Sequence, residues 1–232
     1  MDVVNADETG AGVASKEASL NKVAGTGRTA RNHGHFLLRR IVDGTAGWAT
    51  YQQAAKRQGI VEERRFYDPI EDIAHRRRWN VINNASIAPK APRSGAPRSI
   101  DFVFYRTSKD ASGPGLILAE VKYLRGQNAG QDLQSLRDDM DQLRDLTAAQ
   151  LVQGDALADC GAPSRVLLVI GQHGALEKTA NYNSRNHSRI AAMLYAGLFD
   201  RDNAAYYASA ETYRPSRFHW TVLGSRLFNA GV

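Results

Sequence analysis

The chain has 232 residues, 43% hydrophobic, 23% charged and 8% aromatic, enough apolar material for one ordinary globular core and too much for a disordered chain. Its longest strongly apolar run, Val166 to Ile170, falls far short of the roughly 18 residues that span a bilayer. The single cysteine, Cys160, excludes internal disulfides and thiolate metal clusters.

The acidic start, Met-Asp-Val-Val-Asn-Ala-Asp-Glu, fits neither a secretory signal nor a transit peptide. The expected compartment is therefore the cytoplasm, with no membrane partner. Of the formal net charge of +6, a share of +5 falls within residues 51–100, where ten basic side chains stand against five acidic ones. A local basic excess suits a polyanion such as nucleic acid, because each phosphate contacted releases counterions; the plainer alternative is a solvated face. Arginine outnumbers lysine 23 to 7, which suits bidentate phosphate contacts but also fits a GC-rich coding bias.

In chain order, residues 1–30 are rich in small and polar residues without periodicity and read as a flexible arm. Residues 31–60 read as a helical lead-in of two helices, Arg31 to Val42 and Thr45 to Gln58, the second stopped by Gly59. The remainder, residues 61–232, reads as one domain. Asp68-Pro69-Ile70-Glu71 combines an N-cap residue, a proline at the first helical position and a glutamate three residues on, predicting a helix to about Arg78. Strands follow at Trp79 to Ala88, Ser99 to Arg106 and Gly115 to Arg125, with a Pro/Ser/Gly-rich loop over residues 89–97 and a turn at Ser112-Gly113-Pro114-Gly115, making a three-stranded meander.

Leu133, Leu136, Met140, Leu143 and Leu151 define the buried stripe of a long helix over residues 131–152. Arg165 to Gln172 is an almost continuous apolar strand of the kind covered on both faces. A helix at Ser188 to Phe199 and a strand at Phe218 to Leu223 complete the pattern. The fold class read from this order is α/β, a small central mixed β-sheet flanked by helices.

Three charged groups lie inside otherwise apolar strands: Asp101 in Ser99-Ile100-Asp101-Phe102-Val103-Phe104-Tyr105, and Glu120 and Lys122 in Leu116-Ile117-Leu118-Ala119-Glu120-Val121-Lys122-Tyr123. Glu120 and Lys122 share a strand face, and Asp101 can lie opposite them in an antiparallel hairpin. Burying such charges is costly unless they pair or bind a metal ion. Two converging carboxylates make a hard oxygen site with positions left for water and a phosphate oxygen, as Mg2+ prefers. A lysine beside it can orient or deprotonate the attacking water and offset charge on the phosphate. Glu-x-Lys alone is a weak signal; its apolar strand setting and the acid on the preceding strand give it weight. The bland alternative is an ion pair of Glu120 with Lys122 at an exposed sheet edge, with Asp101 ending a strand.

An acid on one strand and Glu-x-Lys on the next resembles the PD-(D/E)xK nuclease superfamily, the restriction-endonuclease-like fold. The resemblance covers residues 68–172 and the order helix, meander, helix, strand; it departs from the name motif in that Ile100 stands where proline precedes the acid. It implies a Mg2+- or Mn2+-dependent deoxyribonuclease leaving a 5′-phosphate. Asp101, Glu120 and the Val121 carbonyl would be metal ligands, Lys122 the water-positioning residue, and Glu71 an added acid from the first helix, although Glu71 also has a structural role in a capping box with Asp68. It further implies a polar phosphate contact near the start of the long helix, among Gln131, Gln134 and Arg137. Many members of the fold act as homodimers.

Arg76, Arg77 and Arg78 immediately precede the first strand and are candidate contacts to the phosphates flanking a cut, although positive charge there also complements the helix dipole. Trp79, Tyr105 and Tyr123 are assigned to packing. His173, His187 and His219 lack metal-ligand spacing. The competing functions are a catalytically inactive nuclease fold that binds DNA or protein, and the same chemistry deployed as a phage-defence nuclease or as an antibacterial toxin with an immunity protein as partner.

Overall fold

The structure is a computed structural model describing residues 34, 36–55, 62–88, 98–110, 113–182, 188–199, 206–209 and 220–225. The arm expected over residues 1–30 and the loop over 89–97 lie outside them, as do His187 and His219. The architecture is α/β: a six-stranded mixed sheet in the order β1-β2-β3-β4-β6-β5, covered by helices on both faces. The strands are β1 (Asn80–Ser86), β2 (Ser99–Arg106), β3 (Gly115–Leu124), β4 (Pro163–Gln172), β5 (Tyr206–Ser209) and β6 (Trp220–Ser225). The helices are α1 (residues 36–54), α2 (Tyr67–Arg76), α3 (Ala129–Arg144), α4 (His173–Ala180) and α5 (Ser188–Phe199).

The expected meander is present, β1 antiparallel to β2 and β2 antiparallel to β3. β3 and β4 run parallel, so their connection must cross the sheet, and α3 provides that crossover. β6 then pairs antiparallel with β4 and β5 with β6.

Two apolar layers sandwich the sheet. On one face Leu133, Leu136, Met140 and Leu143 of α3, Leu176 of α4 and Ile190 and Leu194 of α5 pack on Val103, Leu118, Leu167 and Val169. On the other, Leu37, Leu38, Ile41, Val42, Ala46 and Ala49 of α1 and Ile70 and Ala74 of α2 pack on Phe102, Phe104, Ile117, Val121 and Leu168. The lead-in is thus part of the core, and the two helices expected there are one continuous helix over residues 36–54. Trp79, Tyr105 and Tyr123 all pack against these clusters, as expected.

Several boundaries depart from the sequence reading. α2 starts one residue before Asp68, with Phe66 as its N-cap and no side-chain cap; Asp68 and Pro69 sit within the first turn, where an acid favours the dipole and a missing N–H costs nothing. The capping box of Asp68 and Glu71 is therefore not formed. α3 stops at Arg144, and Leu146 and Leu151 reach the same core from the following turns. Neither α4 nor β5 is predicted by the sequence pattern. α2 ends in a Schellman-type closure: the Trp79 N–H donates to the Ala74 carbonyl at 3.0 Å and the Arg78 N–H to the His75 carbonyl at 2.8 Å, with Arg78 at φ 59°, a conformation usually left to glycine.

Candidate active site

β2 and β3 pair regularly from Arg106↔Gly115 to Phe102↔Ala119, and their ladder ends there. One residue further along, Asp101 and Glu120 would be the next opposed pair. Instead of meeting a backbone carbonyl of β2, the Val121 N–H donates to Asp101 Oδ2 at 2.7 Å. The other side of β2 is disturbed at the same level, since Asn84 of β1 has φ 49° and falls between the pairs Asn83↔Phe102 and Ala85↔Ile100. Across this kink the side-chain alternation slips: Ile100 and Val103, an odd number of residues apart, enter the same apolar layer. The pleat is broken where Asp101 stands, and its carboxylate is free to reach both Tyr67 and β3.

Three elements complete the surroundings. The Tyr67 hydroxyl, from the first turn of α2, donates to Asp101 Oδ1, with the Tyr67 ring tilted against Phe102, centroids 4.9 Å apart. From the second half of α3, Gln142 Nε2 donates to Glu120 Oε1 at 2.7 Å and to the Ser99 carbonyl at 2.9 Å. Also from α3, Asp139 Oδ2 lies 2.9 Å from Lys122 Nζ. Glu63, in the short 3-10 helix Glu63–Phe66 before α2, accepts from the Tyr123 N–H at 2.7 Å and stands 3.9 Å from Lys122 Nζ. The carboxyl groups of Glu63, Asp101 and Asp139 thus act on the Lys122 ammonium, and a fourth, that of Glu120, stands beside Asp101.

The electrostatics follow from that imbalance. Glu120 is 6% exposed, and burial, then the charge of Asp101 beside it and a side-chain hydrogen bond between the two, push its carboxyl up to about 10. Two carboxylates this close cannot both ionise cheaply; a proton or a cation must stand between them. Burial also raises Glu63 and Asp139. Burial pulls Lys122 down, but Asp139 and Glu63 outweigh it and the net shift is upward. Lys122 therefore keeps its charge. Such a group orients water and offsets negative charge; it does not take a proton.

The structure brings together Asp101, Glu120 and Lys122, as the sequence led one to expect, with Val121 between the latter two. It also answers the bland alternative: β3 is an interior strand between β2 and β4, and Lys122 pairs with Asp139 and Glu63 in place of Glu120. Glu71, one helical turn after Tyr67, accepts from Asn83 Nδ2 of β1 and stands 3.3 Å from His75 Nε2. Gln134 is exposed and donates to Asp138 at 2.8 Å, the Gln131 N–H donates to the side chain of Asn128, the N-cap of α3, and Arg137 pairs with Asp141. The α3 residues at the site are Asp139 and Gln142, because α3 runs antiparallel to β3 and its later turns cover Glu120 and Lys122. Arg76, Arg77 and Arg78 sit at the other end of β2, where Arg106 donates to the carbonyls of Arg77 and Arg78.

Sequence reasoning missed Glu63, Tyr67, Asp139 and Gln142. For Asp139 a signal existed, since it lies three residues after Leu136 and four before Leu143, on the flank of the buried stripe where an acid needs a partner.

Among the described residues no group of three or more His, Cys, Asp or Glu side chains is arranged to hold a metal ion. The donor set at the strand splay is two carboxylates, Asp101 and Glu120, adjoining a main-chain segment at Val121. That set suits a hard cation that keeps water and substrate oxygens among its ligands, the habit of Mg2+. No protein-family model matches the chain, and no curated protein or solved structure is significantly similar to it.

Proposed function

We propose that the protein is a metal-dependent nuclease of the PD-(D/E)xK kind that hydrolyses DNA phosphodiester bonds. The observation that carries this reading is the apposition of Asp101 and Glu120 at the broken end of the β2–β3 ladder, with the Glu120 carboxyl pushed to about 10. A buried carboxyl pair destabilises a fold unless a cation or proton relieves it, and sites that hold such a cost are functional-site candidates.

Asp101 and Glu120, with the Val121 carbonyl, would hold Mg2+ or Mn2+, which when bound lowers the pKa of coordinated water and draws charge from the phosphate. The chain's own groups do the rest. Tyr67 and the Val121 N–H each occupy one lone pair of a different Asp101 oxygen, fixing the carboxylate plane while leaving acceptor capacity on both oxygens. Gln142 does the same for Glu120. Lys122, kept charged and held by Asp139, presents its remaining N–H bonds to the attacking water and to the non-bridging phosphate oxygens, where negative charge grows during in-line displacement.

Conversion of supercoiled plasmid to nicked or linear form in Mg2+, blocked by EDTA and lost in Lys122→Ala, is the expected result. Cleavage at the wild-type rate by Lys122→Ala removes the mechanism. A second reading, a fold that binds nucleic acid or protein without cutting, draws on the closed Lys122–Asp139–Glu63 ion network; wild-type protein that binds plasmid and leaves it intact in both Mg2+ and Mn2+ selects it.

A further inference from the structure

A cleft of about 280 Å³ opens at the opposite end of β2 from Asp101, lined by Phe36 and Leu37 of α1, by Arg76, Arg77 and Arg78, and by Trp79 and Arg106. Its floor is Trp79, 3% exposed, with the Arg106 guanidinium 4.6 Å from its ring centre. Arg106 is itself only 7% exposed. Its Nε and one Nη are spent on the Arg78 and Arg77 carbonyls, and no carboxylate among the described residues comes within 4 Å of it. The nearest acid acting on it, Asp110, is engaged by the Thr107 N–H at 2.7 Å and the Thr107 hydroxyl at 3.2 Å. At the rim Phe36, 47% exposed, has the guanidinium groups of Arg40 and Arg77 at 5.0 and 5.3 Å from its ring centre. Asp72, one helical turn before Arg76, pairs with it at 3.7 Å in a largely exposed position, too weak a partner to neutralise the cleft.

Arg106 is held by main-chain carbonyls and a ring, with no carboxylate among the described residues, and with three more arginines beside it the cleft carries a positive charge that an anion complements. Guanidinium groups fit phosphate by paired N–H donors, and a half-exposed ring among arginines is a surface on which a base stacks.

We infer that this cleft is a second nucleic-acid subsite, which grips a backbone phosphate of the strand being cut at a distance from the scissile bond. The inference rests on the nuclease reading for the identity of the strand. Its geometry is set by β2: five residues separate Asp101 from Arg106, about 17 Å at the strand rise of roughly 3.4 Å. α2 spans the same interval, with Tyr67 on Asp101 at its start and the Arg77 and Arg78 carbonyls on Arg106 at its end; its ten residues measure about 15 Å. A duplex laid parallel to α2 places the gripped phosphate about five base pairs from the cut, at roughly 3.4 Å per pair.

The test uses the full chain and two substrates. Binding of a fluorescein-labelled 20-base-pair DNA is followed by anisotropy in EDTA across a salt series, and hydrolysis of bis(p-nitrophenyl) phosphate, too small to reach the cleft, is followed in Mn2+. For the Arg76→Gln, Arg77→Gln double variant the expected result is roughly tenfold weaker DNA binding and a salt slope shallower by about 1 to 2, since each phosphate neutralised accounts for about 0.9 of slope, with small-diester hydrolysis as in the wild type. Unchanged affinity or an unchanged slope overturns the inference. Arg76→Gln alone, at a side chain 80% exposed, decides in the same direction if a thermal melt shows that the double variant does not fold. Failure of the wild type to hydrolyse either substrate overturns the nuclease reading, while the binding arm still decides whether the cleft takes nucleic acid.

Discussion

Lys122 and Asp139 form an ion pair of 2.9 Å between an interior strand and the helix that covers it, with both side chains less than a quarter exposed. The pair fixes the one ammonium of the site and ties β3 to α3. Neutralising Asp139 while keeping its shape leaves Glu63, 3.9 Å away, as the ion-pair partner of Lys122 among the described residues. Asp139→Asn is therefore expected to lower unfolding free energy by about 1–2 kcal/mol, below the full cost of an orphaned buried charge because that second acid remains. Urea melts of the variant beside the wild type check this; a change within about 0.5 kcal/mol, the size of a surface effect, shows that the pair contributes nothing.

Glu120 gives the fold a pH dependence of defined sign. Its folded-state pKa, raised by burial and by Asp101 from an ordinary value of 4.5 to about 10, means that the folded chain holds a proton that the unfolded chain releases. The associated stability is complete below pH 4.5 and is lost as pH rises toward 10. In EDTA, Glu120→Gln should erase most of that slope and be more stable than the wild type at pH 8, by about 1–3 kcal/mol. Thermal melts at pH 5 and pH 8 provide the measurement, and a variant less stable than the wild type at both values contradicts it.

Tyr67 holds Asp101 through its hydroxyl while its ring packs on Phe102. Tyr67→Phe keeps the ring and deletes the hydrogen bond. The carboxylate then rotates more freely, and loss of a single outer-shell partner of a metal ligand typically costs about 10- to 100-fold in affinity or activity. The Mg2+ concentration giving half-maximal DNA cleavage is expected to rise by about that factor, with the melting temperature nearly unchanged. Equal metal requirements for the two proteins would show that Tyr67 only packs.

Arg78 occupies the left-handed position of the α2 closure at φ 59°, where a side chain costs roughly 1 kcal/mol relative to glycine. Its carbonyl, which accepts from Arg106, is retained in glycine. Arg78→Gly should thus raise the melting temperature while weakening DNA binding at the cleft. A lowered melting temperature would mean that the exposed Arg78 side chain contributes more than the strain it imposes.

The central strands are legible in the sequence because β2, β3 and β4 are apolar runs bounded by turn residues: β2 begins and ends at the residues that the pattern marks, Ser99 and Arg106, and α5 likewise at Ser188 and Phe199. α4 is hidden because His173-Gly174 reads as a turn, although the helix continues through buried Leu176 and Ala180. The apolar stripe overextends α3 because Leu146 and Leu151 keep the spacing after the helix has stopped. Thr147 then opens a short 3-10 turn with a capping box to Gln150, a local signal outvoted by the stripe.

At the site, the charges inside strands stand out because they violate the apolar pattern. Their partners do not. Glu63 precedes a helix in a segment without periodicity, Gln142 looks like any polar helix residue, and the break in pleating at Asn84 and Asp101 depends on two strands at once.

The measurement that bears most directly on the carboxyl pair is a titration of Mn2+ into the metal-free protein, read by the loss of the free-ion electron paramagnetic resonance signal. One Mn2+ bound per chain in the wild type, displaced by excess Mg2+ and lost in both Asp101→Asn and Glu120→Gln, is the predicted result. Wild-type protein that leaves the free-ion signal unchanged, or variants that bind the ion as the wild type does, would contradict the account.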